Sequence, residues 1–247
     1  MKSRNKKIIA AAGMFLLAAA GTGVTLGYLN AGESVVNTFT VGDLKLGLQE
    51  PEWEPEKGDG QNIFPGYSVY KNPTIKNITP GNNGEQTCYV RMCISICNGN
   101  GEDITDNTAL ELIKSTLRYD DSYNGTYDQK GEGQKITEGR IPGYSLRELE
   151  KLPMINPVFA IDESRSSANR IVCNYMGESD RGLFHIGDEA VLFTDIAIPI
   201  HWTGQEMEKA GDFQIIVSAE AIQSAGFSSQ EEAFSALDVE LAGGKQA

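Results

Sequence analysis

The sequence predicts a mainly β protein: a jelly-roll-like antiparallel β-sandwich with short helices in insertions and a C-terminal helix. Three observations lead there. Short segments along the chain alternate apolar and polar residues with period two. Pro-Gly and Asn-Gly pairs punctuate them as turns. A clear helix start, with serine caps followed by acids, stands near the C terminus, and many short strands with few helices make a sandwich or jelly roll.

The first element comes before any strand. Lys2, Arg4, Lys6 and Lys7 precede a run without charge from Ile8 to Gly32, the pattern of a secretory signal. The uncharged stretch is also long enough for a single membrane helix, which needs about 20 residues. Its second half, GTGVTLGYLN, is rich in Gly and Thr, which weakens a helix and favours an export signal. Removing it takes away four bases and no acid, moving the formal charge from −13 to −17. Such a surface repels nucleic acid and anionic headgroups. The expected partners therefore exclude nucleic acid, and membrane contact is expected only through an uncleaved signal.

In TFTVGDLKLGL, Leu44, Leu46 and Leu48 share one face, a half-buried strand. EPEWEPEKGDGQN reads as a polar loop. Pro65-Gly66 and Pro80-Gly81 then mark turns on either side of another short strand. TCYVRMCISI is the clearest strand: Cys88, Val90, Met92, Ile94 and Ile96 face inward, with Tyr89, Arg91, Cys93 and Ser95 on the other side.

Residues 98–190 read as an irregular insertion. Asp106–Leu112 fits a short helix with a Thr or Asp cap, SLRELEKL a helical turn or two, and Tyr123-Asn124-Gly125 a hairpin turn. Order returns with AVLFTDIAIPIHW, where Leu192, Ile196, Ile198, Ile200 and Trp202 share a face. Pro199, on the opposite phase, points to an edge strand. FQIIVSAEAIQ places Phe213, Ile215, Val217, Ala219 and Ala221 inward, and Ser228–Leu237 closes the chain as a helix.

The four cysteines are Cys88, Cys93, Cys97 and Cys173. Three lie on one strand, where neighbours do not easily reach disulfide geometry, and no CxxC pair is present. Buried free thiols are the expected state, with one bridge to Cys173 left open.

The export signal without a small-x-small box, NTFTVGDLKLGL, FPGYSVYKNPTIKN, NNGEQTCYVRMCISI and GDEAVLFTDIAIPI with FQIIVSAEAIQ follow one another in a familiar order. Together they resemble the exported proteins handled by the SipW-type signal peptidase of Gram-positive bacteria, the TasA/camelysin family of secreted matrix proteins. The resemblance covers most of residues 1–97 and 183–240. It implies a signal peptide over 1–27 cut at Gly27–Tyr28, then a single jelly-roll domain over 28–247. It further implies a secreted, non-enzymatic cell-surface or biofilm-matrix protein, with the chain itself or other matrix components as partner. In fibre-forming relatives the freed N-terminal segment adds as a strand to a neighbouring subunit. Here Val35, Val36 and Phe39 provide β-forming anchors for that strand. The segment can equally lie along its own domain or fray.

The other implied activity is that of a camelysin-like metal-dependent protease, and a third reading is a monomeric surface adhesin. Only two histidines, His185 and His201, are present, and neither belongs to an HExxH pair. HIGDE reads as a polar turn, and DDSYNGTYDQKGE as a hairpin rather than a calcium loop, since Gly131 stands where the closing glutamate belongs. No catalytic or metal-ligating residue is assigned, and no cofactor is expected.

Overall fold

The computed structural model describes residues 34–35, 44–51, 53, 59–81, 87–120, 151–177 and 181–243. The signal segment, the cut at Gly27–Tyr28, Val36, Phe39, the Asn124-Gly125 hairpin and almost all of SLRELEKL lie outside them.

The fold is mainly β, with twelve strands in three sheets and three short helices among the described residues. The strands are β1 (Ser34–Val35), β2 (Leu46–Gln49), β3 (Ser68–Tyr70), β4 (Thr74–Asn77), β5 (Cys88–Asn98) and β6 (Leu117–Arg118). They continue with β7 (Phe159–Ile161), β8 (Arg170–Tyr175), β9 (Leu183–Phe184), β10 (Glu189–Val191), β11 (Asp195–Ala197) and β12 (Phe213–Gln223). The helices are α1 (Asn107–Lys114), α2 (Gly204–Ala210) and α3 (Gln230–Gly243).

The large sheet runs β1-β12-β5-β8-β7, with β9 also on β5. Its backbone is the antiparallel pairing of β5 with β12, unbroken from Phe213↔Asn98 to Gln223↔Cys88. The alternation read from both segments holds. Cys88, Val90, Met92, Ile94 and Ile96 meet Phe213, Ile215, Val217, Ala219 and Ala221 in one core. Two three-stranded sheets, β10-β4-β2 and β3-β11-β6, add Leu46, Leu48, Ile75, Val69, Leu117 and Ile196 to the same core. None of the three sheets closes on itself.

Local chemistry explains the turns and caps. Pro65-Gly66 makes the turn before β3, with Tyr67 N donating to Phe64 O at 2.8 Å and Gly66 at φ +87°. Asp106 caps α1 by accepting from the amides of Thr108 and Ala109. α2 starts at a capping box, Thr203 with Glu206, and its Lys209 reaches Asp106 at 2.5 Å, tying the two helices together.

Several expectations need correction. The segment between Pro65-Gly66 and Pro80-Gly81 is two strands in different sheets, β3 and β4, broken at Lys71-Asn72-Pro73. Pro199 does not sit in an edge strand: β11 ends at Ala197 and lies between β3 and β6. Ile200 leaves the inner face and stands 48% exposed on the turn before α2. Val191–Pro199 is buried on both phases apart from a half-buried Val191, so alternation carries no information there. The stretch 98–190 supplies β6 to β9, and β8 pairs with β5 at the centre of the large sheet.

All four cysteines are free and buried. The register explains why Cys93 and Cys173 do not meet. Cys93 lies opposite Val172 and Cys173 opposite Met92, so the two thiols point to opposite faces. Among the described residues no helix is long and apolar enough to cross a membrane.

Candidate assembly edge and polar sites

One strand on an edge of the large sheet is the feature most relevant to assembly. β1 pairs with β12 in parallel, Ser34 with Ser218 and Val35 with Ala219, and it also lies against β2. It is the only parallel pairing among the described strands. β12 is eleven residues long and β1 covers two of them. Among the described residues no other strand pairs with that edge. Backbone N–H and C=O groups on a strand edge are the template to which an extended peptide adds. The opposite edge is β7, three residues long, with Ala160 and Ile161 exposed. Short edge strands of this kind limit uncontrolled pairing.

Of the residues singled out for assembly, Val35 is thus placed on the β12 edge, while Val36, Phe39, Gly27 and Tyr28 fall outside the described residues. The two histidines stand in separate turns. His185 closes a local turn in which its amide donates to Asp188 Oδ2 at 2.7 Å and its ring Nδ1 lies 3.2 Å from the same oxygen. His201 follows exposed Ile200. Among the described residues no three His, Cys, Asp or Glu side chains gather as a metal site.

Burial pushes the thiols of Cys88, Cys93 and Cys173 up to about 12. At neutral pH they carry no thiolate, which is the form that reacts. The Asn77-Ile-Thr sequon is structural: Asn77 is buried, donates to Phe184 O at 3.4 Å and accepts from Thr79 N at 3.1 Å. Trp53, a loop aromatic by sequence, is buried beneath Lys71.

The polar features missed in the sequence lie on the outer face of the large sheet. Arg91 is almost wholly buried there, with Nε 2.6 Å from Glu220 Oε2. The signal was present, because Arg91 occupies an outward phase of β5 and Glu220 is its register partner on β12. Only the strand pairing, however, brings the two together across the intervening chain.

Comparison with known protein families, with curated proteins and with solved structures gives no match to this chain.

Proposed function

We propose that this chain is a secreted, non-enzymatic cell-surface or extracellular-matrix protein. In this reading it is a fibre subunit of TasA/camelysin type, with a jelly-roll-like sandwich core. Its freed N-terminal segment joins a neighbouring subunit as an added strand. The observation that supports this most is the placement of Ser34–Val35 as a two-residue parallel strand on the eleven-residue edge of β12. A segment that pairs along a sheet edge can be exchanged for the same segment of another copy. Head-to-tail exchange does not close, so it builds filaments. The export pattern at Lys2–Gly32 and the acidic surface left after its removal agree with an extracellular site of action.

The test compares sedimentation of the mature chain starting at Tyr28 with a chain starting at Thr38. Large species that resist dissociation from the longer chain, with a monomeric shorter chain, support strand addition. Monomers from both across a range of pH and calcium sink it. The surface-adhesin and metal-dependent-protease readings then move forward. Stoichiometric metal and proteolysis lost on mutating His185 and His201 identify the second of these.

A further inference from the structure

α3 lies on the outer face of the large sheet and buries an apolar cluster separate from the main core. Phe234, Leu237 and Ala233 pack there against Tyr89 of β5 and Ile222 of β12. Beside two hydrogen bonds, from Gln230 Nε2 to Tyr175 O at 2.7 Å and from Arg165 Nη2 to Ser235 Oγ at 3.1 Å, its remaining hold on the sheet is ionic. Asp238 accepts from Arg91 Nη2 at 2.6 Å and from Arg165 Nε at 2.7 Å. Glu231 accepts from Arg165 Nη1 and Nη2, each at 2.9 Å. Both arginines belong to the sheet side, Arg91 on β5 and Arg165 in the turn between β7 and β8.

We propose that α3 is a releasable cover: in acid it leaves the sheet as a unit while the main core stays folded, uncovering the face that holds Arg91 and Arg165.

The charges that face this seam come from every element around it. β5 contributes Arg91, with Tyr89 and Cys93 beside it. β12 contributes Glu220, which is bonded to Arg91 and lies 3.1 Å from Arg170 of β8. Arg170 also reaches Cys93 Sγ at 2.8 Å. The β7–β8 turn contributes Arg165 and Asp162, 2.8 Å apart. From α3 come Glu231 and Asp238, while Glu232 turns back to cap Ser228. Three arginines and two carboxylates therefore remain with the sheet when the two carboxylates of α3 are neutralised.

The sign follows from the partners. Burial works against the Asp238 carboxylate, but hydrogen bonds and charge from Arg91 and Arg165 outweigh it and hold the group below the ordinary range. Arg165 holds Glu231 low in the same way. Carboxylates depressed on folding stabilise the docked state above their unfolded values, about 3.9 for Asp and 4.3 for Glu. That contribution is lost as pH falls through the lower folded values. The seam also contains an imperfection that release repairs. Arg91 Nη1 and Asn174 Oδ1, on residues directly opposite each other, are buried without hydrogen-bond partners, and opening the seam lets water reach both.

Hydrogen exchange resolved to α3, β5 and β12 tests this on the full mature chain. Wild type at pH 7 in 0.05 M salt is compared with wild type in 1 M salt, where screening acts over about 3 Å. A third sample is D238N at pH 7, and a fourth is wild type at pH 3, corrected for intrinsic exchange. At least tenfold faster exchange over 230–241 in D238N and at pH 3, with β5 and β12 still protected, is the expected result, and high salt shifts it the same way. If α3 keeps its protection in D238N and at pH 3, the proposal fails. It fails equally if α3, β5 and β12 lose protection together.

Discussion

Lys71 holds Glu50 with its Nζ 2.8 Å from each carboxylate oxygen, and no part of the lysine side chain touches solvent. The same nitrogen sits 4.7 Å from the centre of the Trp53 ring. The pair joins the residue after β2 to the residue after β3, and so links the two small sheets. Burial pushes the ammonium below the ordinary lysine value, and the Glu50 carboxylate opposes that shift. Removing one partner leaves the other charge buried alone, which costs about 3–5 kcal/mol, whereas replacing both with apolar groups of similar size is near neutral. E50Q should therefore be strongly destabilised in urea unfolding. Combining E50L with K71M should recover most of the loss. A double variant as weak as E50Q would show that the link itself, and not charge burial, is what matters.

Free, un-ionised cysteines make a simple chemical prediction. Cys88, Cys93 and Cys173 should resist a thiol reagent at pH 7.5 in the folded chain, and all four cysteines should react in denaturant. Mass spectrometry of the alkylated protein reads the outcome. Two adducts fewer than four in denaturant, restored by prior reduction, would reveal a disulfide instead.

Asp162 organises the turn between β7 and β8. Its Oδ1 accepts from the Ser164 hydroxyl at 2.6 Å, and its Oδ2 from Arg165 Nη1 at 2.8 Å and Asn174 Nδ2 at 3.1 Å. Burial raises this carboxyl, but those bonds and the Arg165 charge more than offset it and hold it well below the usual range. D162N should lose about 1.5–3 kcal/mol at pH 7, the scale of hydrogen bonds to a charged group. Because the folded value is depressed, the gap between wild type and variant should narrow as pH falls below about 4. A gap independent of pH would mean that the turn depends on shape alone.

Phe184 and Val239 mark the extremes of packing. Phe184 has no exposed surface and meets Tyr175 edge-on, with ring centres 4.8 Å apart. Val239 is 72% exposed on α3. F184A should cost about 3–5 kcal/mol through lost contacts and the cavity left behind. V239S should fall within about 0.5 kcal/mol of wild type. Thermal unfolding distinguishes them directly.

The sequence was most legible where the two faces of a strand differ in chemistry. On β5 and β12 the residues toward the main core are apolar while Arg91, Ser95, Ser218 and Glu220 take the other phase, so alternation records which side faces the core even where α3 buries the outer face. It was least legible at Val191–Pro199, where both phases are buried, and at Trp53, which a polar, acid-rich loop carries into the interior. α2 was overlooked although Thr203 and Glu206 stand at capping-box spacing; its short run buries only Ala210, too little for an apolar stripe. The pairing of β1 with β12 was not legible at all. Which edge an extended segment selects depends on register across the whole chain.

The β5–β12 seam also governs when this protein can fold. Its two halves are separated by everything from Gly99 to Asp212. A growing chain emerges at about 5–20 residues per second, so β5 waits roughly 6–23 s for its partner. Until then its apolar side has no β12 to cover it. A central pairing between such distant segments gives high contact order and slow folding. The newly made chain thus stays unfinished until β12 has emerged as far as Gln223, and a chaperone or a translocation channel has that interval in which to take hold of it.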